Sequence, residues 1–131
     1  MQIFKTRTFQ RWAAKTGVSD SALLDAVAEM ECGLIDADLG GNLYKKRVAL
    51  PGRGKSSSTR TIIATRFAGV LFFLYGFEKN DRDNISAKEL ALYQSLARGF
   101  LDMAENQLIT ALAGQVLTAL AGQVLTEVTP Q

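Results

Sequence analysis

Residues 43–77 read LYKKRVALPGRGKSSSTRTIIATRFAGVLFFLYGF, and this stretch decides the fold. Its first eight residues alternate as a strand. Tyr44, Lys46, Val48 and Leu50 share one face, and Leu43, Lys45, Arg47 and Ala49 share the other. Val48 and Leu50 mark the first face as core. Lys45 and Arg47 are therefore expected on an open face, with Lys46 snorkelling at an edge. PGRGKSSS, residues 51–58, is a loop by composition. TRTIIATRF, residues 59–67, is a second strand with Arg60, Ile62, Ala64 and Arg66 on one side. Gly69 sits in a turn, and VLFFLYGF, residues 70–77, is a nearly continuous apolar strand expected at the sheet centre. The short connections favour antiparallel pairing of the three.

Working outward, Gln2-Ile3-Phe4 opens the chain as a short strand. Thr8 is the expected cap of a helix over residues 9–15, which Gly17 stops. Ser19 caps the next helix, with Val18 and Leu23 as a hydrophobic staple and Gly33 closing it. On the other side, Ser86-Ala87-Lys88-Glu89 is a capping box stapled by Ile85 and Leu90. Leu90, Tyr93, Leu96, Ala97, Phe100, Leu101, Ala104 and Leu108 then recur at helical steps. The expected fold class is α+β: an N-terminal strand and a helical hairpin packed on a small antiparallel sheet, with a long C-terminal helix. A domain over residues 1–108 is expected, followed by a tail over 109–131. In that tail TALAGQVL occurs at 110–117 and again at 118–125. An eight-residue period is not a heptad, so the repeat is read as a local duplication and not as a coiled coil.

A chain of 131 residues fits one domain, and 47% hydrophobic with 21% charged residues is globular composition. There is no histidine, which excludes Ser-His-Asp and Cys-His nucleophile systems and His-ligated metal sites. The single cysteine, Cys32, cannot form an intrachain disulfide. With no signal-like or membrane-length apolar run, a cytoplasmic setting is expected. Cys32 lies among acids and is read as a packed residue. Asp36 and Asp38 lack a third oxygen ligand and are read as a solvated turn, so no metal and no cofactor are expected.

The net charge of +2 hides an uneven layout. No Asp or Glu occurs from Leu39 to Phe77, whereas Lys45, Lys46, Arg47, Arg53, Lys55, Arg60 and Arg66 all fall there. A one-signed field of this kind attracts a polyanion, and nucleic acid is the commonest. GRGKS is not a phosphate-binding P-loop. Ala49 stands where the first glycine of that motif is required, and a β-branched strand follows instead of a helix. The loop is read either as a basic contact with a phosphate backbone or as an ordinary hairpin loop. Lys79 and Arg82, in EKNDRDN directly after the apolar strand, either join the same surface or pair with Asp81 and Asp83 in a charged loop.

The ordered string Asp36-Ala37-Asp38-Leu39-Gly40-Gly41, Lys45-Lys46-Arg47-Val48, Gly52-Arg53-Gly54-Lys55-Ser56, Arg60-Thr61 and Phe72-Phe73-Leu74-Tyr75-Gly76-Phe77-Glu78-Lys79-Asn80-Asp81-Arg82-Asp83-Asn84-Ile85 resembles the RelE/ParE toxin superfamily of bacterial type II toxin–antitoxin systems, in its RelE-like, phage- and plasmid-borne branch. The resemblance covers about residues 1–108. It implies a ribosome-dependent endoribonuclease that cuts mRNA in the decoding site and is held inactive by a neighbouring antitoxin. It also implies chemistry without metal or histidine, in which basic residues assist attack of a ribose 2′-hydroxyl on the adjacent phosphate. By position the family's strand lysines fall on Lys45 and Arg47, its following-strand arginine on Arg60, and the residues after its last strand near Lys79, Asn80 and Arg82. Lys79 and Arg82, together with Lys46, Arg53 and Lys55 of the basic window, are the expected RNA contacts. This chain departs from the family late in the sequence. Asn80 or a shifted Arg82 replaces an arginine, and Ser86 stands at the position of a tyrosine.

The physics runs the same way. Lys45 is the candidate base, and Arg60 suits a bidentate grip on phosphate. Preorganised cations stabilise the charge that builds on five-coordinate phosphorus. Two other readings are a ParE-type toxin that inhibits gyrase without cutting RNA, and a non-catalytic module that binds nucleic acid or antitoxin. Leu112, Val116 and Leu120 of the tail are candidate contacts with the antitoxin or a second copy of the chain.

Overall fold

The computed structural model describes residues 2–50, 59–78, 84–114 and 125–128. The chain runs β1 (Gln2–Thr6), α1 (Arg7–Thr16), α2 (Asp20–Glu31), β2 (Ala37–Gly40), β3 (Leu43–Val48), β4 (Thr59–Thr65), β5 (Val70–Glu78), α3 (Ala87–Gly114) and β6 (Leu125–Glu127). One six-stranded sheet has the order β2-β3-β4-β5-β1-β6. β3, β4 and β5 form the expected antiparallel meander. β1 joins β5 in parallel, so the sheet is mixed instead of purely antiparallel.

Local chemistry explains the helices. Thr6, not Thr8, caps α1 by accepting from the Phe9 N–H, which lets the helix start at Arg7. Ser19 caps α2 and accepts from Ala22. Ser86 and Glu89 make both arms of the capping box at the head of α3. Gly40, Gly41 and Asn42 all have positive φ and turn β2 back onto β3, so Ala37–Gly40 is an edge strand where the sequence suggested a turn.

Each face of the sheet carries a buried core. α1 and α2 cover one through Phe9, Ala13, Leu23, Val27 and Met30, packed on Val48, Ile63, Leu71 and Phe73. α3 covers the other through Ala97, Phe100 and Leu101 on Leu43, Ile62, Phe72 and Phe77. This is why β5 is apolar on both sides. The face expected to lie open is thus covered along part of its length by α3. The tail also contributes to the sheet: β6 pairs antiparallel with β1, and Val128 is buried in the core under α1 and α2.

A bulge in β5 sets the position of Tyr75. Ile62 pairs with Tyr75 and Ile63 with Phe73, which leaves Leu74 as the extra residue. The Leu74 carbonyl accepts from the Thr6 hydroxyl at 3.2 Å, so the bulge is fastened to the end of β1. No helix among the described residues is long and apolar enough to cross a membrane.

Candidate functional site

The site is built by strand register. On β3, Lys45 and Arg47 alternate with Lys46 and so face the α3 side of the sheet with Leu43. Pairing with β4 places Arg47 directly opposite Arg60 and Lys45 opposite Ile62. Pairing with β5 extends these rows to Phe77 and Tyr75. Two cross-strand rows result: Lys45–Ile62–Tyr75, and beside it Arg47–Arg60–Phe77. The structure therefore brings Lys45, Arg47 and Arg60 onto one patch of one face. Directly opposed residues on an antiparallel pair have Cβ atoms about 4.5–5.5 Å apart, so Arg47 and Arg60 are close neighbours.

Tyr75 closes one side of the patch. Its ring stacks on Tyr93 of α3 with centroids 5.4 Å apart and an interplanar angle of 27°, and it packs on Phe77 at 6.0 Å. The head of α3 thus leans over the end of the row that carries Lys45. Gln94 anchors it there by donating to the carbonyls of Leu39 and Gly40, at 3.1 and 3.4 Å.

Carboxylates reach this region from outside the acid-free window. β2 pairs antiparallel with β3, and that hairpin carries Asp36 to Arg47. The Asp36 carboxylate accepts from the Arg47 backbone N–H and from Nε, the latter at 3.1 Å. Arg47 is accordingly a paired cation, with its side chain 42% exposed. The Lys45 side chain has no ion-pair or hydrogen-bond partner among the described residues. Arg66 leaves β4 and pairs with Asp102 of α3 at 2.8 Å, away from the row of Arg60.

Lys46 corrects the sequence reading. It was expected at an edge, contacting RNA. Instead it lies on the α2 side, 3% exposed, with its Nζ 2.7 Å from Glu29. The reason is alternation: its neighbours on that face are Tyr44 and Val48, which pack in the core under α2, and Glu29 supplies the countercharge the burial requires. Arg53, Lys55, Lys79 and Arg82 lie outside the described residues, as do Val116, Leu120 and the side chain of Leu112. The Tyr75–Tyr93 stack was not legible in sequence, because nothing in VLFFLYGF marks the bulge that moves Tyr75 into register with Lys45.

Compared with known families, the sequence matches the RelE toxin of RelE / RelB toxin-antitoxin systems over residues 1–120. The chain belongs to the RelE toxin family. No curated protein matches it by sequence. As a RelE toxin it is the toxin component of a toxin–antitoxin pair, and the family implies a RelB-like antitoxin as its partner. The match runs beyond residue 108, through the first copy of the tail repeat and into the start of the second.

Proposed function

We propose that this RelE toxin is a ribosome-dependent mRNA endonuclease whose chemistry is carried by the Lys45–Arg47–Arg60 patch. The observation that carries the reading is the register of β3 on β4. It sets Arg47 against Arg60, with Lys45 on the same face and without a carboxylate partner among the described residues.

In this reading the Lys45 amine accepts the proton of the ribose 2′-hydroxyl. The 2′-oxygen bonds to phosphorus, the bond from phosphorus to the 5′-oxygen breaks, and a 2′,3′-cyclic phosphate and a 5′-hydroxyl remain. Arg60 and Arg47 stabilise the extra negative charge on the five-coordinate phosphorus. Tyr75, at the far end of the Lys45 row, donates the proton that the leaving 5′-oxygen needs. The ribosome supplies what a flat cationic patch lacks, by holding the RNA bent with the 2′-oxygen in line.

Primer extension on mRNA after induction tests this. Discrete new 5′ ends should appear with the unaltered protein and vanish with Lys45→Ala. Growth arrest with intact mRNA and signs of DNA damage would overturn it in favour of a gyrase-directed toxin.

A further inference from the structure

We infer that α1 carries a second RNA-binding surface, on the opposite side of the sheet from Lys45, shaped for the phosphate backbone of a folded RNA. Arg7, Arg11 and Lys15 recur at four-residue steps along this helix. Each step turns the position by about 40° and advances it by about 6 Å, so the three form one oblique stripe. All three are exposed, while Phe9 and Ala13 are buried against the sheet. The stripe therefore points outward from the α1–α2 layer, whereas Lys45, Arg47 and Arg60 lie on the α3 side.

Among the described residues no carboxylate pairs with this stripe. No Asp or Glu precedes Asp20 in the chain. The side chains of Arg7, Arg11 and Lys15 have no hydrogen-bond or ion-pair partner among the described residues. Four cations elsewhere are matched: Lys5 by Asp20, Lys46 by Glu29, Arg47 by Asp36 and Arg66 by Asp102. Lys88 and Arg98, the exposed cations of α3, are spaced so that they share no stripe. Arg7 also sits in the first turn of α1, which holds no acid, and there the helix dipole opposes a positive charge. Helix stability would favour an acid at that place, so the arginine points to a ligand.

The partner follows from the chemistry. Evenly spaced cations on a convex helix suit a polymer of evenly spaced phosphates and offer no concavity for a small anion. The exposed positions of α1 are Arg7, Thr8, Gln10, Arg11, Ala14 and Lys15, with no large apolar side chain among them. Protein interfaces bury an apolar centre, which this face lacks, whereas nucleic-acid interfaces are polar and cationic. RNA is therefore favoured over an acidic protein segment. The inference rests on the reading that this toxin works on RNA. α1 would grip one RNA while the Lys45 face takes another.

The test uses the full chain in a Lys45→Ala background, so that no RNA is cut. Anisotropy of a fluorescein-labelled RNA hairpin is measured across a KCl series. Replacing Arg7, Arg11 and Lys15 together by Ala should weaken binding at least tenfold and reduce the salt slope by about 2 to 3, near one counterion per lost cation. Arg7→Lys with Arg11→Lys should keep the slope, and far-UV circular dichroism should show the same helix content throughout. An unchanged slope in the triple Ala variant overturns the inference. So does a loss seen with a DNA duplex or an acidic peptide but not with RNA. Because no cleavage is read, failure here is separate from failure of the proposed activity, which Lys45→Ala alone tests in cells.

Discussion

Arg47 and Arg60 stand directly opposite each other across β3 and β4. Like charges at opposed positions of an antiparallel pair are destabilising by roughly 0.2–1 kcal/mol. Asp36 offsets part of this by pairing with Arg47. A double-mutant cycle of Arg47→Ala and Arg60→Ala, read by urea unfolding, should return an unfavourable coupling within that range. The coupling should shrink in high salt, because the groups are partly exposed. A favourable coupling would show that the two side chains turn away from a common ligand.

Asp36 should restrain RNA binding as well as support the hairpin. It is 20% exposed and its partner 42%, so the pair is screened and Asp36→Asn should lower stability by no more than about 1 kcal/mol. The same change releases the Arg47 guanidinium from a competing carboxylate. Affinity for a non-cleavable RNA should rise, with a salt slope steeper by about 1. Weaker RNA binding in Asp36→Asn would mean that Asp36 instead holds Arg47 in the binding geometry.

Lys46 and Lys45 are adjacent in sequence and should behave oppositely. The Lys46 amine is nearly sealed from solvent beside Glu29, which is itself 29% exposed. Glu29→Gln leaves that charge unmatched and should destabilise by roughly 2–4 kcal/mol, somewhat below a fully buried pair. Glu29→Gln with Lys46→Met should recover most of the loss in thermal unfolding. Cleavage per folded molecule should be unchanged by Lys46→Met and abolished by Lys45→Ala.

Gly76 is fixed by packing and not by backbone angle. A Cβ there would lie 2.2 Å from the Trp12 ring, with two more ring atoms within 2.6 Å. The indole is held against Phe9, with centroids 5.4 Å apart, so it is not a flexible tip that can swing aside. Gly76→Ala should destabilise by about 1–3 kcal/mol through overpacking of the α1–β5 contact. Trp12→Leu in the same chain should restore part of this, seen as a recovered urea midpoint.

The sequence was most informative where physics is local. Thr59–Thr65 and Val70–Glu78 carry enough β-branched and apolar residues to read as strands, and Ser19 and the Ser86–Glu89 box announce their helices. β2 was missed because ADLG is short and ends in glycine, and β6 because three residues in a duplicated tail carry no periodic signal. The parallel pairing of β1 with β5 joins residues nearly seventy apart, which no local pattern records. The site was half legible for the same reason. Alternation put Lys45 and Arg47 on one side of β3. The acid-free window, however, is a property of the chain and not of space: the residue leading into β2, Asp36, reaches Arg47, and α2 brings Glu29 to Lys46.

Tyr75 offers the sharpest test of the chemistry. Its place in the Lys45 row depends on the bulge at Leu74, and its ring is set by the stack on Tyr93. If its hydroxyl protonates the leaving oxygen, Tyr75→Phe keeps the ring and removes only the donor. Cleavage of mRNA on purified ribosomes should then fall about 10²–10⁴-fold with RNA affinity unchanged. Tyr93→Phe keeps the stack and should cleave at nearly the normal rate. If Tyr75→Phe cleaves normally, the proton comes from elsewhere and the tyrosine serves packing alone. If both variants lose activity equally, the stacked pair acts by shaping the patch and not by proton transfer.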